Sequence, residues 1–292
     1  MKRTKRVLGL ALAAVMCMGL LAGCGGTPSN SDTADETSGT ETSEKVLNIA
    51  TIGETTTLSP LYMIADNRPT QKLLYEGLVK YVDGEIQPVL AEDWELSEDG
   101  TQLTFYLRQG VTFHDGEPFN AEAAIANIES WHINPSFASL PGVVNYTNIE
   151  AVDEYTIRLT YDTPYFAYIN DFCWPDVCTM ISPKLITQGD FQTVNGYAGT
   201  GPYIYDEYVA GQYTTFVRNE NYWGEQPYYD KIVAKYIPDN ASRVQALQTG
   251  EIDLIYGSAE LSYEDYNQAI AIDGIEGKFA PSGSTVRNIL SL

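Results

Sequence analysis

Histidine, cysteine and basic residues are scarce in this sequence. Its 292 residues include 2 His and 4 Cys, and 17 Lys and Arg stand against 39 Asp and Glu. Residues 1–24 hold four of the basic residues and none of the acidic ones, which leaves 13 basic against 39 acidic residues, a formal charge of −26. Nucleic acids and anionic lipid surfaces are bound through clustered basic residues. The charge therefore argues against both as partners.

Sequence motifs of covalent catalysis are missing as well. The chain contains no H-E-x-x-H and no G-x-S-x-G. Gly199–Pro202 lacks the G-K-[ST] end of a phosphate loop and is expected to be a tight turn. His114 is expected at the surface or as a turn-stabilising residue, and His132 at a helix end, where it suits the helix dipole. An enzyme is therefore the weaker class.

The N-terminus reads as an export segment. Basic residues at positions 2, 3, 5 and 6 precede an apolar run, residues 7–21, that is shorter than the roughly 20 residues needed to span a bilayer core. This order is typical of a signal peptide. Leu21-Ala22-Gly23-Cys24 resembles the lipobox of bacterial lipoproteins, which implies cleavage before Cys24 and a diacylglycerol on its thiol. A plain signal peptide and a short anchor with an incidental cysteine are the alternatives.

The segment behind Cys24 contains no large apolar residue. Residues 25–44 read GGTPSNSDTADETSGTETSE, a composition that cannot bury enough surface to offset the entropy of ordering. We therefore expect a signal peptide at 1–23, a lipidated cysteine with a disordered linker at 24–45, and a folded part at 46–292. The lipid would be the only membrane contact, on the outer face of the cytoplasmic membrane, or in the periplasm where an outer membrane is present.

Two cysteines fall within the folded part. Cys173 and Cys178 are separated by four residues, and an exported compartment permits a disulfide between them. Free thiols are the second alternative. A metal site is the third, although zinc sites of this kind need a second pair of ligands.

Local patterns predict a mixed α/β fold with a hairpin-rich, antiparallel subregion at about 83–194. The residues of 102–107 alternate between apolar and polar, Asp99-Gly100 marks a hairpin turn, and Asn120 and Asp239 precede helices as N-caps. The predicted strands are 46–53, 78–82, 101–108, the two arms of 149–161, 213–218, 232–237 and 252–256, and the predicted helices are 67–75, 120–131 and 239–250.

Three blocks of sequence resemble the substrate-binding proteins of ABC importers, in the oligopeptide, dipeptide and nickel group known as solute-binding family 5. The first block, 73–125, contains FYLRQGVTFHDG and NAE; the second, 199–232, contains GTGPY and RNENYW; the third, 243–257, contains ALQTGEID. The resemblance implies a type II periplasmic-binding-protein fold. It implies a monomeric, non-enzymatic receptor that delivers a peptide or a nickel chelate to ABC permease and ATPase subunits, with no cofactor of its own.

The second and third blocks look especially similar to the nickel-chelate receptors. Those receptors carry an arginine near the segment that corresponds to 173–183, which has no basic residue here. Arg68 is the candidate that could supply the charge instead. Tyr62, Met63 and Trp174 are candidates for the wall of the ligand cleft.

Members of this family are about twice as long as the folded part and have two lobes. The resemblance therefore predicts a truncated chain that contains most of lobe one, which would bind its solute weakly or not at all on its own. An extracellular hydrolase and a structural or adhesive surface lipoprotein are the other classes. The first would need a catalytic constellation and the second favours repeats, and neither is visible in the sequence.

Overall fold

The computed structural model describes most of the predicted folded part. The described residues are 44–62, 68–174, 177–187, 191, 194–256 and 261–278. The predicted signal peptide, Cys24, nearly all of the linker and Met63 lie outside them. Within these ranges, no helix is long and apolar enough to cross a membrane.

The helices and strands follow one another in mixed order. In chain order they are β1 (Val46–Thr51), α1 (Arg68–Leu74), β2 (Val79–Val82), β3 (Glu85–Pro88), β4 (Ala91–Leu96), β5 (Gln102–Leu107), α2 (Ala121–His132), α3 (Pro141–Val144), β6 (Tyr146–Asp153), β7 (Thr156–Tyr161), α4 (Tyr168–Phe172), β8 (Tyr203–Val209), β9 (Tyr213–Arg218), β10 (Lys231–Tyr236), α5 (Asn240–Gln248), β11 (Leu254–Ile255) and α6 (Tyr263–Ile270). The mixed α/β class is confirmed.

A five-stranded sheet has the order β11-β1-β10-β9-β8. Strand β1 runs parallel to both β10 and β11, whereas β10, β9 and β8 are antiparallel to one another. Alternate residues of β1 serve the two faces of this sheet. Ile49 joins a core with Leu74 at the end of α1, and Ala50 packs with Ala246 of α5 on the other face.

A four-stranded antiparallel sheet has the order β4-β5-β7-β6. On its central strand β5, the predicted apolar face is buried at Leu103, Phe105 and Leu107, whereas on the other face Tyr106 is 40% exposed and Thr104 is 8% exposed. The predicted turn at Asp99-Gly100 is confirmed, and Gly100 has the left-handed φ of 68° that glycine adopts without strain. This sheet and α2 enclose the larger core.

Helix α2 begins where the sequence predicts. The Asn120 side chain accepts a hydrogen bond from Ala123 N, as an N-cap should. The buried face of the helix includes Ile128 and Trp131, and the Trp131 ring stacks on Phe137 at a centroid distance of 5.8 Å. The cap and the apolar face together fix α2 against the larger core.

Other elements differ from the sequence-based expectation. The hairpin β2–β3 was not predicted in full, although Asp83 and Gly84 have φ values of 52° and 91° and form its turn. Strands β3 and β8 and helix α6 were missed too. The predicted strand 252–256 shrinks to Leu254–Ile255, because Ile252 packs into the small core beneath α5.

Asn127 is a buried side chain that connects α2 to a distant loop. Its Nδ2 donates to Ala123 O and to Ile181 O, each at 2.9 Å, and its Oδ1 accepts from Ile181 N at 2.9 Å. The amide therefore satisfies both backbone groups of Ile181, which lies far from α2 in the sequence and outside any sheet.

Replacing Asn127 by alanine should destabilise the fold by about 2–4 kcal/mol, because the N–H and C=O of Ile181 are left buried without partners. The free energy of unfolding is measured by urea denaturation of residues 25–292. Asn148→Ala, which truncates an exposed asparagine on β6, is the control and should change stability by no more than about 0.5 kcal/mol. Equal effects of the two substitutions would contradict the assigned role.

Candidate ligand-binding face

Three parallel strands of the five-stranded sheet end at one edge. Strands β1, β10 and β11 end at Thr51, Tyr236 and Ile255. In open α/β sheets, ligands bind beyond the carboxyl ends of parallel strands. The connection 52–62 leaves β1 at this edge and leads to Tyr62, whose side chain is 36% exposed.

A shallow depression lies at the same edge. It is lined in part by Thr51, Glu54 and Tyr208 and encloses no cavity that a small molecule could fill. Glu54 accepts hydrogen bonds from Tyr208 Oη at 2.5 Å and from Gly211 N at 2.6 Å. These bonds lower the pKa of Glu54. Glu54 thus fastens the β8–β9 turn to the segment after β1.

The segment that carries Tyr62 is anchored in two cores. Leu58 packs in the core under the five-stranded sheet, and Leu61 packs in the larger core. The Tyr62 N–H donates to Ser59 O at 3.3 Å. The backbone around Tyr62 is therefore held inside the fold while its side chain faces outward.

The segment that carries Trp174 follows α4, and the Trp174 side chain is 47% exposed. Beyond it, Val177 and Met180 are fully buried in the same larger core as Leu61. The Met180 N–H donates to Glu76 O at 2.8 Å. Tyr62 and Trp174 are thus exposed aromatic side chains on two segments that share one core.

The remaining candidates are only partly described. Arg68 is the first residue of α1, but its side chain lies outside the described residues, as do Met63 and Cys24. The ligand roles predicted for these residues and for Tyr62 and Trp174 stay predictions.

Cys173 and Cys178 are free thiols, so the disulfide alternative is not what the structure contains. Their thiols donate to different carbonyl oxygens, Ile169 O and Asp171 O, each at 3.4 Å. Burial raises the pKa of both, to about 11 for Cys173. Across the described residues, no three His, Cys, Asp or Glu side chains are grouped to hold a metal ion.

The motifs of the first two sequence blocks meet at the turn around Gly199–Gly201. The His114 Nε2 lies 2.9 Å from Gly201 O and its Nδ1 accepts from Gly199 N at 3.3 Å, which fits a neutral ring. Burial lowers the pKa of His114. A Cβ at Gly201 would lie 2.6 Å from Leu73 O, so only glycine permits this approach to α1. His114 therefore stabilises a turn, as expected, but that turn is Gly199–Gly201, which is distant from His114 in the sequence.

The side chain of Glu76 contacts residues of the second sequence block beside this turn. Its carboxylate accepts hydrogen bonds from Thr200 Oγ1 at 3.0 Å, Tyr222 Oη at 2.7 Å and Trp223 Nε1 at 2.8 Å. The Arg108 guanidinium lies over the Trp223 ring, 4.5 Å from its centroid. Burial raises the pKa of Glu76, and the hydrogen bonds oppose that shift.

The sequence profile described as bacterial extracellular solute-binding proteins, family 5 Middle, matches residues 85–288. The chain belongs to this family. It is 38% identical over 209 residues, or 70% of its length, to the nickel-binding periplasmic protein of Escherichia coli (strain K12). The relatives of this family named here are binding proteins and not enzymes.

Solved family 5 structures give the same fold. NikA from Brucella suis, in complex with Fe(III)-EDTA, aligns with a TM-score of 0.72 at 34% identity over 77% of this chain. DppA from Helicobacter pylori, in complex with the peptide STSA, aligns with a TM-score of 0.67 at 27% identity over 78% of it. The chain spans 40% of the Escherichia coli protein, 46% of NikA and 49% of DppA.

Glu76 escaped the sequence analysis, although it stands in the first family 5 block. A glutamate between a helix and a strand has no local pattern to mark it, and its partners Tyr222 and Trp223 are almost 150 residues away. No signal in a single sequence could have paired Glu76 with Tyr222 and Trp223.

Replacing Glu76 by glutamine should change how stability depends on pH. A carboxyl with a raised folded pKa keeps its proton in the folded state when the unfolded chain has already lost it, so stability falls as pH rises from about 4.5 through the raised pKa. The unfolding free energy of the wild type minus that of Glu76→Gln should therefore decrease with increasing pH. Urea denaturation of residues 25–292 across a pH series measures this difference.

Glu98→Gln, which alters an exposed glutamate in the β4–β5 turn, is the matched control. The decrease with pH found for Glu76→Gln should exceed any change found for this control. A difference for Glu76→Gln that stays constant or grows with pH would show that Glu76 titrates without the burial penalty.

Proposed function

We propose that this chain forms most of one lobe of a lipid-anchored solute receptor that serves an ABC importer, and that its solute is a nickel chelate. The observation that carries the proposal is the match to the nickel-binding protein of Escherichia coli and to NikA, at 38% and 34% identity. The second lobe would close over a face that we propose to include both Tyr62 and Trp174. Permease and ATPase subunits would then receive the solute.

The proposed metal is carried by a small chelator and not by a protein cage. The described residues offer no group of three ligating side chains, and the two cysteines are buried with raised pKa values, which disfavours the thiolates that bind metals. Imidazole, thiolate or carboxylate donors would therefore have to come from the chelator. Exposed aromatic rings such as Tyr62 and Trp174 suit contact with a chelator's carbon skeleton.

A peptide solute is the second candidate. The specific observation in its favour is the absence of any basic residue from 173–183, where the resemblance to nickel receptors leads us to expect an arginine. The alignment with DppA, solved with a bound peptide, supports the same alternative.

The solute is tested with residues 25–292 joined to the second-lobe portion of a family 5 relative. The protein is purified from rich medium without refolding and weighed by native mass spectrometry, with elemental analysis of the same sample. A bound mass that contains nickel is the expected result. A series of peptide masses without metal would reject the chelate in favour of the peptide. The relative's complete protein, treated identically, controls for solutes captured by the added portion alone.

The proposed lipid anchor depends on one thiol. Replacing Cys24 by serine should abolish incorporation of an alkyne-tagged fatty acid in bacterial cells, and the protein should leave the membrane fraction, because the stable two-chain anchor is lost. Cys17→Ser removes a cysteine of the apolar segment and is the matched control, which should keep both the label and the membrane association. Persistent labelling of the Cys24→Ser variant would contradict the proposal.

A further inference from the structure

Two buried amide side chains face the backbone on either side of Leu61. The Gln71 Nε2 donates to Ser59 O at 2.8 Å, and the Asn134 Nδ2 donates to Leu61 O at 2.8 Å. Gln71 is 5% exposed and Asn134 is 3% exposed. The two carbonyl groups they bind lie within three residues of Tyr62, in a segment without regular secondary structure.

Ser59 connects these contacts to Tyr62 itself. Its carbonyl oxygen accepts from both Gln71 Nε2 and the Tyr62 N–H. Its hydroxyl donates to Phe191 O at 2.8 Å and accepts from the Leu61 N–H at 3.3 Å. Ser59 is fully buried, so each of these polar groups depends on a protein partner.

The two amides come from different parts of the fold. Gln71 lies on α1, while Asn134 follows α2, and Asn134 Oδ1 accepts from Ser136 N at 3.0 Å. This bond fixes which way the Asn134 amide points, so that its Nδ2 faces Leu61. The segment before Tyr62 is therefore held from two sides, and the apolar side chain of Leu61 is fixed in the core between them.

We propose that Gln71 and Asn134 are positioning residues that hold the backbone leading to Tyr62 in place, and through it the position from which the Tyr62 side chain would meet a solute. The importance of that position for solute binding rests on the function proposed above. The positioning itself rests only on the contacts described here. Loss of either donor leaves a buried carbonyl group with one partner fewer and frees the backbone around Leu61 to open locally.

Hydrogen–deuterium exchange of residues 25–292 tests the positioning. Gln71→Met keeps the length of the side chain but removes the donor, and Asn134→Asp keeps the acceptor for Ser136 N but removes the donor to Leu61. Both variants should accelerate exchange of the Leu61 and Tyr62 amides on the order of tenfold. Exchange within β5, which follows the global stability, should accelerate less than exchange at residues 61 and 62. Gln102→Met, an exposed substitution at the start of β5, is the control and should leave residues 61 and 62 unaffected.

Equal acceleration of exchange in β5 and around Tyr62 would show that Gln71 and Asn134 act on global stability alone. Unchanged exchange at residues 61 and 62 would show that they have no role in positioning. Either result overturns the proposal.

A separate fluorescence titration with nickel chloride and two equivalents of L-histidine compares the wild type with Gln71→Met and Tyr62→Ala, each joined to the second-lobe portion used above. Absence of binding by the wild type would count against the nickel-chelate function, while the exchange result would still decide the positioning.

Discussion

The fold depends on how the carboxylate of Glu76 is accommodated between distant parts of the chain. Its two oxygens take hydrogen bonds from Thr200, Tyr222 and Trp223, and its backbone carbonyl takes one from the Met180 N–H. One residue between α1 and β2 therefore joins the turn before β8, the segment after β9 and the segment behind Trp174. At Glu76, elements that pack in different cores are therefore joined to one another.

Removing a carboxylate from water is costly, and the cost is recovered only where its oxygens are well hydrogen-bonded. Three donors offset part of this cost at Glu76, although burial still raises its pKa. A glutamate with a raised pKa is also a candidate for acid–base catalysis, but both oxygens of Glu76 are engaged by neighbouring side chains. The arrangement assigns a packing role to the residues of the first two sequence blocks that meet here.

Local features of the fold were predictable from the sequence, and long-range ones were not. The alternation of β5 and the N-caps Asn120 and Asp239 depend on neighbouring residues alone. The turn at Asp83-Gly84 carries the same signal as the one at Asp99-Gly100 and could have been found. The buried contacts of Glu76 and Asn127, however, join residues 50 to 150 positions apart, and no periodicity reports such pairs.

In the candidate site, too, local features were predictable from the sequence and long-range contacts were not. Family resemblance named Tyr62 and Trp174, and both side chains are exposed on segments that share the larger core. The polar groups that hold those segments, such as Gln71 and Ser59, could not be recognised, because a buried glutamine or serine looks like any surface one in a sequence.

A receptor that closes over its solute needs walls that keep their shape while open. The exposed aromatic rings offer contact area, but they contribute to affinity only if little freedom is lost when the solute arrives. Loops without regular secondary structure would lose much freedom. The buried amides beneath Tyr62 and the contacts of Met180 and Ile181 behind Trp174 remove that freedom during folding. The core of the described fold therefore orders the segments that carry Tyr62 and Trp174 without any bound solute.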